Sequence, residues 1–302
     1  SAKELCSHAE MLLSGPAWRF RIVPTTTHLT KQPVHLYYCD SLDCIEALFN
    51  NLLFASEMDL SPYCLFTTWM SSDGTWELQV QAPYHVVGTL CGVILSSDKT
   101  TITNMCGGWV VHLLLISLTN IRMKTCNKAS LHAFLLLVLM PIPQFVHPTT
   151  QICSVESVLE AQLFHQCLDI VLEPLKIVAC IGKMMLDPAG NLHYYFTSLV
   201  SYIVDMPEVA MLACVWGQTS SVTLVKYDQL GNLNTCQTRT GTLTMTQLQS
   251  LETDPAAVER YFTECECYCL SGVSHLFFWD WLLSCPSRFL IPEALHHWHR
   301  FF

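Results

Sequence analysis

Two aspartates, Asp98 and Asp205, each follow an apolar stretch and occupy positions where a metal ligand could be held. Asp98 follows the short run 92–97 and precedes Lys99 and several hydroxyl residues, which predicts a buried strand that delivers the carboxylate to its exposed end. A strand holds carboxylate oxygens with little freedom, and proteins bind Mg²⁺ through one or two carboxylates together with substrate phosphates. Taken alone, however, an aspartate at a strand end more often serves a turn or a cap.

The two aspartates are more informative as a pair. Asp205 follows the apolar stretch 192–204, and the predicted order of elements from residue 92 onward is strand, strand, strand, helix, strand, helix. This is the order of the RNase H-like nucleotidyltransferase fold, in which adjacent strands bring two carboxylates together at one edge of a sheet. Such a pair can hold two metal ions about 4 Å apart and stabilise both the attacking and the leaving oxygen at phosphorus.

Two other clusters contain possible metal ligands. The Cys-Glu-Cys-Tyr-Cys run at 265–269 lacks the two-residue spacing of a zinc site and a clear partner pair, which favours free thiols. His296, His297 and His299 lie close to Glu293, and histidines at helical offsets can share a metal. With no further ligand nearby, they are more typical of a helix end or an interface.

The elements that would position the aspartates fall in the middle of the chain. Strands are predicted at 93–97, 109–118, 132–139 and 192–204. A long amphipathic helix is predicted at 154–185, with a bend or break at Pro174. We therefore expect an α+β protein with an RNase H-like mixed sheet flanked by helices.

Three regions are expected along the chain. Residues 1–90 are predicted to be a mostly helical N-terminal region, because apolar residues recur at helical spacing in 5–13 and 42–52. Residues 91–218 would form a partial catalytic core. Residues 219–302 would form a truncated helical insertion, with helix-like spacing at 246–251 and 254–265.

Composition limits the classes of protein that fit. Hydrophobic residues make up 51% and charged residues 13% of the chain, and the charged share is about half the usual one. The longest apolar runs, 110–118 and 133–142, are shorter than the ~18 residues that span a bilayer, so they predict buried strands and no membrane segment. No start methionine and no basic signal region stand at Ser1, so we expect no secretory signal and interpret the chain as a fragment.

Charge and cysteine content add two further expectations. The formal net charge is −10 with 15 lysines and arginines, which argues against a broad nucleic-acid-binding face. The 16 cysteines are scattered without regular spacing, and we expect most of them to be unpaired.

Six short motifs occur in order through nearly the whole chain. They are LSSDKT (95–100), PIPQF (141–145), HQCLDIVLEPLK (165–176), DPAGNL (187–192), YIVDMPE (202–208) and PEALHHWH (292–299). Together they resemble the Plavaka transposases of fungal DNA transposons, which are relatives of the CACTA group. The resemblance implies a nuclear DDE transposase core that cuts and joins transposon-end DNA with Mg²⁺. It also implies that Asp98 is the first metal-binding carboxylate and Asp205 the second.

The chain also departs from the family pattern. Where an Arg-Val-Ala-His-Pro-Leu-like run is expected, it has WVVHLL (109–114); Leu282 stands where a proline is expected, and Cys267 or Cys269 where basic residues are. Each of these changes corresponds to a single C-to-T or G-to-A transition, the pattern left by decay of a methylated, silenced element. Such decay would explain the excess of cysteine and the missing positive charge together. The alternative is that the expected pattern belongs to a different subfamily.

The resemblance further implies a third carboxylate on a later helix, after an insertion that begins near Thr219. The later acidic candidates are Glu259, Glu264, Glu266, Asp280 and Glu293. None stands in a recognisable context, so we expect the third carboxylate to lie beyond Phe302 and to be absent.

Three classes of function follow from these observations. The leading one is a degenerate, inactive transposase fragment. The second is a non-catalytic nuclear binding protein domesticated from a transposase, which would require a basic surface that this sequence lacks. The third, a membrane-associated protein, is suggested only by the mean hydropathy of +0.34.

Overall fold

A computed structural model describes most of the chain. The described residues are 15–25, 29–60, 88–103, 109–146, 156–216, 219–225, 236–282 and 284–292. Three predictions fall outside them: the helix at 5–13, the histidine cluster at 296–299, and Glu293.

The described residues form an α+β structure in which helices flank one mixed sheet of eight strands, as the sequence predicted. The strands are β1 (Trp18–Val23), β2 (Val34–Cys39), β3 (Thr89–Thr103), β4 (Trp109–Leu118), β5 (Leu135–Met140), β6 (Lys183–Leu186), β7 (Leu192–Val204) and β8 (Leu290–Pro292). The helices are α1 (Ser41–Phe49), α2 (Met123–Cys126), α3 (Glu156–Ile181), α4 (Met206–Leu212), α5 (Gly241–Gln249), α6 (Val258–Glu266) and α7 (Pro286–Phe289).

The strand order in the sheet is β1-β2-β5-β4-β3-β7-β6, and β8 also pairs with β7. Strands β3, β4 and β5 are antiparallel neighbours, whereas β7 runs parallel to β3 and β8 runs parallel to β7. The predicted succession of three strands, a helix, a strand and a helix is therefore present as β3, β4, β5, α3, β7 and α4, with the short strand β6 inserted before β7.

Helix α3 runs without interruption through Pro174, where the sequence suggested a bend or break. Proline inside a helix removes a backbone hydrogen bond and costs about 3 kcal/mol. Leu172 and Leu175, on either side of the proline, are fully buried in the core beneath the sheet. Thr197 on β7 also donates its hydroxyl hydrogen bond to the carbonyl oxygen of Leu175. Tertiary packing therefore holds the helix together across this position.

The regions before and after the central strands also join the sheet. In the N-terminal region, predicted to be mostly helical, β1 pairs with β2 and β2 pairs with β5. In the C-terminal region, predicted to be a helical insertion, the chain returns to the sheet as β8. The apolar residues before β8 belong to the main core, and Phe277, Phe278 and Phe289 are almost completely buried.

A charged cluster ties the C-terminal region to α3. Lys176 is buried and forms ion pairs with Asp169, which lies about two turns earlier on the same face of α3, and with Asp280, at 2.6 Å. His275 Nε2 lies 3.2 Å from Asp169 Oδ2, and the hydrogen bond from His275 helps to lower the pKa of Asp169 against the opposing effect of burial. The cluster therefore joins two segments that are far apart in sequence.

We expect the Lys176→Met substitution to lower the free energy of unfolding by about 2 kcal/mol. Removing one partner of a fully buried ion pair costs about 3 to 5 kcal/mol, and the partial exposure of both aspartates reduces this figure. Urea denaturation measures the change. Lys124→Met is the matched control, because Lys124 pairs with Glu57 at an exposed site; similar losses in both variants would contradict a special role for the buried cluster.

Twelve of the 16 cysteines lie in the part of the chain that the structure describes, and all twelve are free thiols. For these twelve, the expectation of unpaired cysteines is confirmed. In the described ranges, no helix is both long and apolar enough to cross a membrane.

Candidate functional site

Asp98 lies within β3, and Asp205 directly follows Val204, the last residue of the neighbouring parallel strand β7. The register of β3 against β7 ends with the pair Ser96 and Ile203, and each aspartate lies two residues further along the chain, so the two positions correspond. Strand β3 continues past Asp98 to Thr103 in pairing with β4, so Asp98 is not at a strand end as predicted. Instead, it lies where β3 loses β7 as its neighbour.

The two aspartate side chains have different surroundings. Asp205 caps α4: its Oδ1 accepts a hydrogen bond from the backbone N–H of Glu208 at 2.9 Å. The carboxylate of Asp98 is exposed and accepts a hydrogen bond from the Thr100 hydroxyl at 2.7 Å. Because side chains alternate along a strand, Asp98 and Thr100 share one face of β3, and Ser97 projects from the other.

A cleft of about 220 Å³ opens beside the end of β7. Its lining residues come from β3, β4, α3, α4 and the segment after β5: Lys99, His112, Pro141, Ile142, Pro143, Glu160, Phe164, Asp205, Pro207, Glu208 and Met211. Asp205 is therefore a wall of the cleft, whereas Asp98 is not among its lining residues. The structure brings the two backbone positions together, and the convergence of both side chains on one ion stays a prediction.

A buried polar network lies at the base of this cleft. Glu208 is 8% exposed, and its Oε1 accepts a hydrogen bond from the hydroxyl of Ser97 on β3. The same oxygen lies 3.2 Å from Nε2 of His112 on β4. The imidazole of His112 packs on the ring of Phe164, with ring centroids 5.0 Å apart. The network thus connects β3, β4 and α4.

Lys99 and Glu160 place opposite charges on the cleft wall. Burial raises the pKa of Glu160, and the positive charge of Lys99 partly opposes this shift, while Glu156 adds to it. A carboxyl group with a raised pKa holds its proton more readily than an exposed one. Lys99 is exposed, so its ammonium group is available to an anion that enters the cleft.

The donor set at the two aspartates suits a hard cation such as Mg²⁺. Carboxylate oxygens are its usual protein ligands, and a carboxylate offers about four lone-pair sites, so the hydrogen bonds from Thr100 and Glu208 leave both aspartates acceptor capacity. No group of three or more His, Cys, Asp or Glu side chains is placed to hold an ion among the residues that the structure describes. Two protein carboxylates would leave most ligand positions to water and phosphate, as is common for Mg²⁺.

The other predicted ligands lie away from the cleft or outside the described residues. Of the later acidic residues that are described, Asp280 pairs with Lys176, and Glu264 accepts hydrogen bonds from Thr253. In the run 265–269, Cys265 is buried and Cys267 is exposed, so these thiols face different surroundings.

Sequence reasoning missed the buried network of Ser97, His112 and Glu208. Ser97 ends the short run 92–97 before Asp98, and Glu208 ends the YIVDMPE motif; neither was given a role. The available signal was a polar residue inside an apolar strand: His112 interrupts the apolar run of β4. A buried polar group requires a partner, and that requirement could have pointed to an acidic residue.

Comparison with known proteins gives one family. The family model described as Plavaka transposase matches residues 1–302, the whole of the chain. No match was found among curated proteins.

Proposed function

Because the chain belongs to the Plavaka transposase family, we propose that it is a degenerate DDE transposase. Its ancestral reaction is Mg²⁺-dependent cleavage and joining of transposon-end DNA in the nucleus. Family membership implies DNA as the class of partner and metal-dependent catalysis as the class of chemistry. The finer assignments, including the two carboxylates and the loss of activity, are our proposal.

The position of the two aspartates carries this proposal. They come from parallel strands that are direct neighbours, and each lies two residues beyond the last register pair. The β3-β4-β5-α3-β7-α4 succession is the one expected for an RNase H-like core. A cleft with one of the two carboxylates in its wall lies at this position, which supports a role in binding a phosphate-rich substrate together with a cation.

Asp98 and Asp205 would hold the cation. When bound, Mg²⁺ would stabilise negative charge on the oxygens around the reacting phosphorus. The protein's own contribution is positioning: Asp205 is oriented by its cap on α4, and the Lys99 ammonium group reaches the cleft where it can contact a phosphate. Pro141, Ile142 and Pro143 form an apolar wall that limits the space available to the DNA backbone.

Loss of positive charge supports the proposal that this copy is degenerate. The chain has a net charge of −10, and Cys267 or Cys269 stands where the resemblance leads us to expect basic residues. Each lost phosphate contact weakens DNA binding and reduces its salt dependence. A weakened hold on DNA would impair catalysis even with both aspartates in place.

We therefore expect no Mg²⁺-dependent cleavage or joining by this protein. The assay uses a labelled duplex with the element's terminal repeats, Mg²⁺ or Mn²⁺, and the wild-type, Asp98→Ala and Asp205→Ala proteins. Cleavage by the wild type that disappears in both variants would support the two carboxylates and overturn the proposed inactivity. Cleavage that persists in both variants would contradict the assignment of the site.

Lys99 gives a test that does not depend on catalysis. Residual binding to the same duplex, measured by fluorescence anisotropy between about 50 and 200 mM salt, should become weaker in Lys99→Ala. The slope of log K against log salt should decrease by about one unit, as expected for one phosphate contact. Lys128→Ala is the control, because Lys128 is exposed and does not line the cleft. Equal salt-dependence slopes for Lys99→Ala and the wild type would show that Lys99 does not contact the DNA.

A further inference from the structure

We propose that Glu208 is a positioning residue that fixes the Asp98 segment of β3 against the Asp205 segment after β7, so that both carboxylates can serve one metal ion. This inference rests on the proposed function, because it concerns the same two aspartates. Glu208 is the last residue of the YIVDMPE motif, and the sequence analysis gave it no role in the site.

The first contact reaches β3. Glu208 Oε1 accepts the hydrogen bond of the Ser97 hydroxyl, and both residues are buried, at 8% and 6% exposure. Ser97 immediately precedes Asp98, so this contact restrains the backbone that carries the first carboxylate. The contact matters because β3 has already lost the register pairing with β7 at this position.

The second contact reaches Asp205. The backbone N–H of Glu208 donates to Asp205 Oδ1 at 2.9 Å, which orients the second carboxylate through the cap of α4. Glu208 is thus hydrogen-bonded to Ser97, the neighbour of Asp98, through its side chain. It is hydrogen-bonded to Asp205 through its backbone. These two contacts tie together positions more than a hundred residues apart in sequence.

A third contact holds the Glu208 side chain in place. His112 Nε2 lies 3.2 Å from the same Oε1, and the His112 ring is itself packed on Phe164. The contacts from Ser97 on β3 and from the packed imidazole of His112 on β4 leave the carboxylate little rotational freedom. Outer-shell groups of this kind orient metal ligands, and their loss typically lowers metal affinity about 10- to 100-fold.

Two observations favour a positioning role over direct metal ligation by Glu208. Its Oε1 is already engaged by Ser97 and His112. In the described part of the chain, no three acidic, His or Cys side chains lie close enough together to hold an ion, so Glu208 does not complete a group with Asp98 and Asp205.

Mn²⁺ affinity tests the inference without any catalytic readout. The full 302-residue chain is titrated with Mn²⁺, and free Mn²⁺ is followed by electron paramagnetic resonance. We expect Asp98→Asn and Asp205→Asn to abolish the site. Glu208→Ala and Ser97→Ala should each weaken binding about 10- to 100-fold. The double variant should bind no more weakly than Glu208→Ala alone, since both substitutions remove the same contact.

Glu208→Gln distinguishes positioning from ligation. Its amide oxygen can still accept the hydrogen bond from Ser97, so affinity should stay within about threefold of the wild type if Glu208 only positions its neighbours. A loss as large as that of Glu208→Ala would show that the charge itself is required and would overturn the positioning role.

Ser117→Ala controls for loss of stability. Ser117 is a fully buried serine on β4 that donates a hydrogen bond to Ala133, so its substitution removes a comparable buried contact. Mn²⁺ affinity should be unchanged in this variant. Wild-type affinity in Glu208→Ala, with the site still lost in Asp205→Asn, would overturn the inference alone. If the wild type binds no Mn²⁺, or binds it equally well in Asp98→Asn and Asp205→Asn, both the proposed function and this inference would be overturned.

Discussion

Replacement of Phe277 by alanine should lower the free energy of unfolding by about 3 to 5 kcal/mol, the range observed for large buried aromatic residues. Phe277 is fully buried, and the centroid of its ring lies 5.2 to 6.2 Å from the centroids of four other aromatic rings. These rings belong to His165, Tyr202, Phe278 and Phe289. Two of them lie on α3 and β7, so loss of the ring would leave a cavity between the C-terminal region and the sheet.

Urea denaturation of the purified variant measures this loss. Phe20→Ala is the matched control, because Phe20 lies on β1 with 53% of its surface exposed. Its substitution should cost less than about 1 kcal/mol, since little buried surface is lost. Equal effects at the two positions would show that the segment around Phe277 does not depend on its packing against the sheet.

The role of Phe277 also shows where sequence reasoning reached its limit. The apolar runs that became β4 and β7 are long, and the shorter run before Asp98 is bounded by polar residues, so these strands and their order along the chain could be predicted. The return of the chain to the sheet as β8 could not be predicted, because β8 has only three residues, Leu290–Pro292. Its strand identity comes from pairing with β7, which is a tertiary interaction.

The candidate site divides in the same way. Asp98 and Asp205 were predicted from local pattern, and the register of β3 and β7 places them at corresponding positions. The contacts of Glu208 with Ser97 and His112 span 111 and 96 residues, and no local periodicity reports such contacts. Asp98 and Ser97 face opposite sides of the sheet because β3 continues through both residues. Pairing with β4 extends β3 as far as Thr103, and this pairing is also a tertiary interaction.

The second large effect concerns His165, whose burial makes stability depend on pH. His165 is fully buried on α3, and its Nδ1 accepts the backbone N–H of Phe277 at 3.3 Å. Nε2 lies 3.2 Å from the carbonyl oxygen of Met211 and 3.3 Å from Cys214 Sγ, so we assign the ring proton to Nε2. Burial lowers the pKa of His165 to about 4, although the hydrogen bond to Met211 opposes the shift.

The sign of the effect follows from proton uptake. In the unfolded chain a histidine has a pKa of about 6.5, so between about pH 6.5 and pH 4 the unfolded state binds a proton at His165 that the folded state does not. The free energy of unfolding should therefore fall as the pH is lowered through this range, by about 3 kcal/mol in total for this group. The stabilisation from a neutral His165 is fully present above about pH 6.5.

Nearby groups titrate as well, so the His165 contribution must be isolated. His275, held by Asp169, has a raised pKa, and its stabilising contribution is present below about pH 6.5 and lost as the pH rises through that raised value. Its titration thus lies mainly above the range in which His165 acts. The remaining histidines are common to the wild type and a His165 variant, so their contributions cancel in the difference between the two.

We therefore expect the His165→Asn variant to lose the acid-dependent part of the stability curve. Urea unfolding of both proteins at several pH values between 7 and 4 gives the difference in slope, which is independent of how much the substitution lowers stability at neutral pH. The wild type should lose about 3 kcal/mol more than the variant over this range. Parallel curves would show that protonation of His165 does not oppose folding and that the imidazole is not held neutral between Met211 and Phe277.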